Sequence, residues 1–181
     1  MISQLTIRNF KSFDEIILDL RNFTLLVGMN SVGKSSVIQS LLVAIQNITH
    51  DGRSPLNGGL VSLGEFTDAR NFITNAKSFT VNIKSQSHEI LFNFFEDNGL
   101  VKCKIKPERK NKLANYLHQK SKRVHYLSSK RIGSQDLYQK NYEKYNDYGI
   151  LGEYAIDFFD KNKQNPIEDY FIIKASGIIH I

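Results

Sequence analysis

Tryptophan is absent from this 181-residue chain, proline occurs three times, and Cys103 is the one cysteine. A lone cysteine excludes an intrachain disulfide framework and a cysteine-cluster zinc site, and it fits a reducing cytosol. No apolar run approaches the roughly 18 residues of a membrane-spanning helix, so no membrane association is expected. The N-terminus, MISQLTIRNFKSF, lacks the long apolar core of a secretory signal. His50, His88, His118, His125 and His180 show no metal-ligand spacing, and no Ser-His-Asp or Cys-His arrangement can be argued. Internal repeats and low-complexity linkers are missing too. The remainder, 41% apolar, 11% aromatic and 23% charged, is ordinary for a folded cytoplasmic domain. The length suits one domain or one large lobe of a bigger one.

The formal charge of +6 is unevenly spread. Residues 1–101 sum to −1 and residues 132–181 to −3, whereas residues 102–131 carry +10. Lys102, Lys104 and Lys106 alternate with Val101, Cys103 and Ile105, so on a strand the three lysines share one solvated face. Arg109 and Lys110 extend the band. Clustered cations of this kind suit nucleic-acid phosphates, a solvated face, or an acidic protein partner.

Patterning lays out the elements. Ile2–Phe10 and Ile16–Leu20 read as strands joined by a turn, and Phe23–Val27 (FTLLV) reads as a strand buried on both faces. A helix follows from about Gly33, and residues 47–59 have loop composition. Strands are expected around Phe79–Ile83, over His88–Phe95 and over residues 101–106, with Asn98-Gly99 as a hairpin turn. Pro107 opens a helix to about Lys122, Val124–Leu127 reads as a short strand and Gly149–Phe159 as a helix. Cys103 is expected to be a core thiol and His125 a structural residue.

Gly28-Met-Asn-Ser-Val-Gly33-Lys34-Ser35 fits G-x-x-x-x-G-K-[ST], placed between an apolar run and an amphipathic helix as a P-loop requires. The glycines permit a turn that aims successive N–H groups at an anion, and the helix start adds its dipole. Lys34 would reach the β- and γ-phosphates of a nucleotide, the Ser35 hydroxyl would ligate Mg²⁺, and Asn30 and Ser31 would line the loop near the β–γ bridge.

These residues also carry a resemblance. Leu5-Thr-Ile-Arg-Asn-Phe-Lys-Ser-Phe13 ahead of the P-loop is similar to the N-terminus of SMC/RecF-like ATPases, the ABC-type head domains, and of stand-alone bacterial AAA-type members of that group. Gly33-Lys34-Ser35-Ser36 with its apolar helix, Val61-Ser-Leu-Gly-Glu-Phe-Thr-Asp68, Tyr126-Leu-Ser-Ser-Lys-Arg-Ile-Gly133 and Gly149–Tyr154 resemble family phrases. The resemblance implies an α/β P-loop NTPase lobe with an antiparallel β-subdomain, and ATP with Mg²⁺ as cofactors held by Ser36 together with the P-loop residues above. Asn9 and Lys11 would lie near the nucleotide by the same likeness; read from the residues alone, they are equally a hairpin corner anchored by Phe10.

The family's acidic strand end and Ser-Gly-Gly signature loop have no convincing counterpart. Ile16–Asp19 precedes the P-loop, and Phe94-Phe95-Glu96-Asp97 falls at a hairpin end. The resemblance therefore implies an N-terminal lobe, 1–181, that lacks the C-terminal half of a full head. Within it, residues 1–60 hold the hairpin and P-loop, 61–106 a β-rich subdomain, and 107–181 a basic helix and C-terminal segment. The implied partners are a second copy, another ATPase half or a nuclease subunit, with possible DNA. Two functions stay open: an ATPase coupled to DNA repair or anti-phage defence, and a nucleotide-sensing subunit that does not hydrolyse. A small-molecule P-loop kinase is disfavoured by the N-terminal hairpin.

Overall fold

Strict alternation builds one sheet. β1 (Ile2–Phe10) and β2 (Phe13–Asp19) form a hairpin with Phe10 opposite Phe13. β3 (Ser78–Ser85), β4 (Glu89–Asp97) and β5 (Leu100–Lys106) form an antiparallel meander. β3 pairs with β1, giving a five-stranded sheet of order β2-β1-β3-β4-β5. The turn between β4 and β5 is Asn98-Gly99, both with positive φ, as the sequence signal requires.

The inward positions of β1, β3 and β4 are apolar and closed to solvent: Ile7, Phe79, Val81, Ile83, Phe92 and Phe94 all stand at 0% exposure. The Phe79 ring stacks on Phe94 at 4.6 Å and lies 5.1 Å from Phe10. The computed structural model describes residues 2–49, 55–107, 112–121, 124–130, 133, 137–142 and 148–165. Among these, α1 (Lys34–Thr49) and α3 (Lys112–Ser121) pack together, α1 against β1 and β3 and α3 against β4. α2 (Phe66–Ala69) is a single turn that buries Phe66 beside Phe79. The result is α/β, with an antiparallel sheet.

α1 runs to Thr49, three residues into the stretch read as loop. Every residue from Leu42 to Ile48 is buried, including polar Gln46 and Asn47. Burial is tolerated because both amides are used. Asn47 donates to Val43 O and Pro55 O, while Gln46 accepts from the Val61 N–H. Two polar side chains thus fasten the following loop to the helix.

Two compact units divide the chain, Met1–Val124 and His125–Ile181. In the second, α4 (Ala155–Asn162) begins six residues later than the helix read from sequence, because Gly149 and Gly152 adopt positive φ and turn the chain first. His125 stacks on Tyr148 at 5.3 Å, and Tyr148 meets Phe158 edge-on at 5.6 Å, so this histidine is structural. Residues 124–127 form no strand.

The apolar run Phe23–Val27 is the main departure from expectation. It forms no strand among the described residues, and Phe23, Leu25 and Val27 are 81%, 69% and 79% exposed. A strand exists only by its ladder, and among the described residues this run pairs with no other. Instead Arg21 and Thr24 close a local bend, the Arg21 N–H donating to Thr24 Oγ1. Thr24 and Leu26 line a cavity of about 460 Å³ against Leu5, Val37 and Leu41 of β1 and α1.

Candidate functional site

The loop from Gly28 to Gly33 ends where α1 begins. Val37 N–H donates to Gly33 O at 3.1 Å, the first helical bond, so the N–H groups of Lys34, Ser35 and Ser36 have no acceptor within the helix. These donors and the helix dipole define an anion site. Gly33 has φ +96, and a Cβ there would lie 2.5 Å from the Phe13 ring, so both its backbone conformation and the pressing aromatic demand glycine. Ser31 also sits at positive φ (68), an uncommon conformation for a residue with a side chain and one that clusters at ligand-binding loops.

Lys34 folds back across the loop. Its ammonium donates to Gly28 O at 2.7 Å and to Met29 O. The charge therefore lies over the loop's concavity, held by two neutral carbonyls. Asn30, Ser31 and Ser35 are exposed around it, and Ser36 is half-buried. The Ser35 hydroxyl at the helix start fits a Mg²⁺ bridged to phosphate. Among the described residues no group of three or more His, Cys, Asp or Glu gathers as a metal site, so such an ion would depend on the phosphates and Ser35.

The β1–β2 corner stands beside the loop through Phe13. Asn9 and Lys11 both have positive φ, and the distortion is held by a second chain segment: Lys11 N–H donates to Ala69 O, and Asn71 N–H donates to Asn9 O. Lys11 Nζ donates to Gln39 Oε1 of α1 at 2.6 Å and lies 5.8 Å from the Phe10 ring centre. Burial pushes its pKa down, and the charge of Asp68 opposes that. Asn71, wholly buried, donates to Asp14 Oδ1 at 2.6 Å and accepts from the Ile73 and Thr74 N–H groups. Sequence reading missed Gln39 and Asn71. A polar residue closing a loop thirty or sixty positions from its partner leaves no periodic signal.

The phrase Val61–Asp68 is the lead into α2. Gly64 has φ +82, and Glu65 N–H donates to Asp68 Oδ2 at 3.0 Å, so Gly-Glu-x-x-Asp is a local turn-and-helix device. Within the second unit the other two phrases touch each other: Ser128 N–H donates to Ile150 O at 2.8 Å. Glu153 accepts from Leu151 N–H and fills the space above Gly149.

Each of these phrases has a specific local purpose, and the likeness they carry extends over nearly the whole chain. A family model described as an AAA ATPase domain matches residues 1–176. The chain belongs to the AAA ATPase domain family. No curated protein matches it. Membership in this ATPase family supports nucleotide binding, with Mg²⁺ as its usual companion. No helix among the described residues of this AAA domain is long and apolar enough to cross a membrane.

The basic face takes a different shape from the charge count. Lys102, Lys104 and Lys106 do share the exposed face of β5. However, Lys102 pairs with Asp97 at 2.6 Å, and Lys104 lies over Phe95 at 5.0 Å. Across the same face Arg8 pairs with Glu15 and Lys84 with Glu89. Five cations there meet four acids, Glu15, Asp19, Glu89 and Asp97. Arg109 and Lys110 lie outside the described residues. Glu96 and Asp97 close a hairpin, and Cys103 is half-buried on the inward side.

Proposed function

We propose that this AAA ATPase chain binds ATP–Mg²⁺ at Gly28–Ser36 and couples occupancy to association with the protein segments that complete a catalytic centre. The observation that carries the reading is Lys34 bonded to the Gly28 and Met29 carbonyls at a helix start whose first N–H groups have no acceptor within the helix. A phosphate oxygen is a better acceptor for an ammonium than a neutral carbonyl, so nucleotide binding replaces a weak tether with charge-assisted bonds. Gly33 permits the approach, Asn30 and Ser31 flank the β–γ bridge, and Ser35 holds the metal. Asn9 and Lys11, at the distorted corner next to Phe13, are assigned to the nucleotide's remaining groups, Lys11 already bonding Gln39 of α1.

The SMC/RecF-type likeness supplies the finer part of the proposal. Hydrolysis needs a carboxylate pair and a signature loop, which a second ATPase half would bring as ATP closes the two together. Coupling to DNA repair or defence, or to a nuclease subunit, rests on that likeness alone. A nucleotide sensor that never hydrolyses is the competing reading, favoured by the hairpin placement of Glu96 and Asp97.

Titration of ATP into wild type and Lys34→Ala, with Mg²⁺ or with chelator, tests the binding. Loss of the ammonium's charge-assisted bonds removes about 3 kcal/mol, or roughly a hundredfold in affinity. Equal affinity in the two proteins would remove the P-loop assignment. Turnover that depends on Lys34 supports an ATPase; tight binding without turnover, with or without duplex DNA, leaves the sensor.

A further inference from the structure

The two edges of the sheet are opposite in charge and alike in shape. β2 and β5 each have a ladder partner on one side only among the described residues. Both are seven residues long. β2, Phe-Asp-Glu-Ile-Ile-Leu-Asp, carries three acids and no base, while β5, Leu-Val-Lys-Cys-Lys-Ile-Lys, carries three lysines and no acid. On the outward face β2 presents Glu15, Ile17 and Asp19, and β5 presents Lys102, Lys104 and Lys106. On the inward face Ile16, Leu18, Cys103 and Ile105 are only half-buried.

We propose that copies of this chain join edge to edge, β5 of one copy adding antiparallel to β2 of the next and extending the sheet across the interface. In the register that places Lys106 opposite Glu15, Lys102 faces Asp19 and Lys104 lies over exposed Ile17. The same register places Ile105 against Ile16 and Cys103 against Leu18, closing the apolar face that each edge leaves open. Both faces are satisfied together, because side chains alternate with a period of two on each strand.

Charged edges ordinarily keep sheets apart, and here they do so selectively. β2 against β2 sets acids against acids, and β5 against β5 sets lysines against lysines. Only the unlike pairing is attractive. The interface is therefore head-to-tail, and repeated use gives a ring or a directional filament rather than a two-fold dimer. The backbone ladder supplies affinity and the charges supply register and partner choice. A polyanion on β5 is less favoured, since the whole face carries nearly as many acids as cations.

A charge exchange tests this with the full chain, by sedimentation velocity at low ionic strength. Wild type is expected to show a mass that grows with concentration and falls as salt screens the edges. Lys102→Glu/Lys104→Glu/Lys106→Glu and Glu15→Lys/Asp19→Lys are each expected to stay monomeric alone. Mixed one to one they should assemble again, and so should the chain carrying all five changes. That recovery also shows that the variants fold. If the reversal beside Arg8 unfolds the hairpin, the neutral pair Glu15→Gln/Asp19→Asn decides, raising the concentration for half-assembly by about tenfold. A wild type that remains monomeric, single-edge variants that assemble like wild type, or a mixture that does not recover overturns the proposal. Monomeric wild type whose duplex-DNA binding is lost with the three lysines would give the edge to nucleic acid instead. ATP affinity is read in parallel and is independent of every one of these outcomes.

Discussion

β3 and the run from Phe23 to Val27 share a Phe-Thr followed by a branched aliphatic, and they end in opposite surroundings. Phe79, Val81 and Ile83 are at 0% exposure, whereas Phe23, Leu25 and Val27 stand between 69% and 81%. The difference lies in their neighbours. β3 alternates apolar with polar, needs cover on one face only, and finds β1 and β4 on either side. The second run is apolar at nearly every position and needs cover on both faces as well as two ladder partners. Apolar content specifies what a segment wants; the partners present decide what it gets.

Removing one aromatic from each region is the sharpest way to break that contrast. Phe79→Ala deletes a ring packed among Phe10, Phe66 and Phe94, and is expected to lower unfolding stability by about 3–5 kcal/mol. Phe23→Ala is expected to stay within about 0.5 kcal/mol of wild type. Urea midpoints of the two variants, compared at equal slope, check the pair. A Phe23 penalty approaching that of Phe79 would mean that the run is covered in solution, by another copy or by another segment.

The same contrast explains what could be read from the sequence. The meander, its inward residues, the Asn98-Gly99 turn and the shared face of Lys102, Lys104 and Lys106 follow from a period-two pattern, which is local. The ATPase class was legible for the same reason, since the glycine spacing, lysine and hydroxyl that suggested it lie within eight consecutive residues. The strand expected at Phe23–Val27 depended on partners that its own residues do not encode. Gln39 and Asn71 were invisible because each completes a bond to a residue far away in sequence. The charge band was legible as a sum but not as a surface: Asp97 neutralises Lys102 across a hairpin, and the acids of β2 and β4 share the lysines' face.

A smaller effect concerns the order of the Gly28–Gly33 loop, since the run leading into it is unpaired among the described residues. The structure answers that the β1–β2 hairpin supplies it, through Phe13 against Gly33. Gly33→Ala meets both the positive φ and the ring, and strain of about 1–2 kcal/mol is expected, weakening ATP binding by roughly tenfold. Adding Phe13→Ala relieves the collision but not the dihedral, so the double variant should recover part of the loss. A double-mutant cycle on ATP affinity reads the coupling directly. Additive effects would mean that the loop holds its shape without the hairpin.

Lys11 gives the smallest effect and sits at the join of the two regions, on the hairpin corner yet bonded to Gln39 of the P-loop helix. Burial there lowers its pKa below the ordinary 10.5, the charge of Asp68 opposing the shift. The unfolded chain consequently holds this proton more firmly than the folded one. Between the lowered value and 10.5 the unfolded state binds more protons, so Lys11's contribution to stability improves as pH rises through that window and is least favourable below it. Lys11→Met removes the titration, so its stability relative to wild type should be highest near neutral pH and fall as the pH approaches 10.5. The side chain is half-buried rather than enclosed, and solvent screening keeps the change below about 1 kcal/mol. Thermal melts of the two proteins at matched pH measure the gap. A gap that stays flat would place the ammonium in full solvent and free the corner from the helix. A gap that closes on alkalinisation ties the ordered sheet to α1 through one half-buried charge.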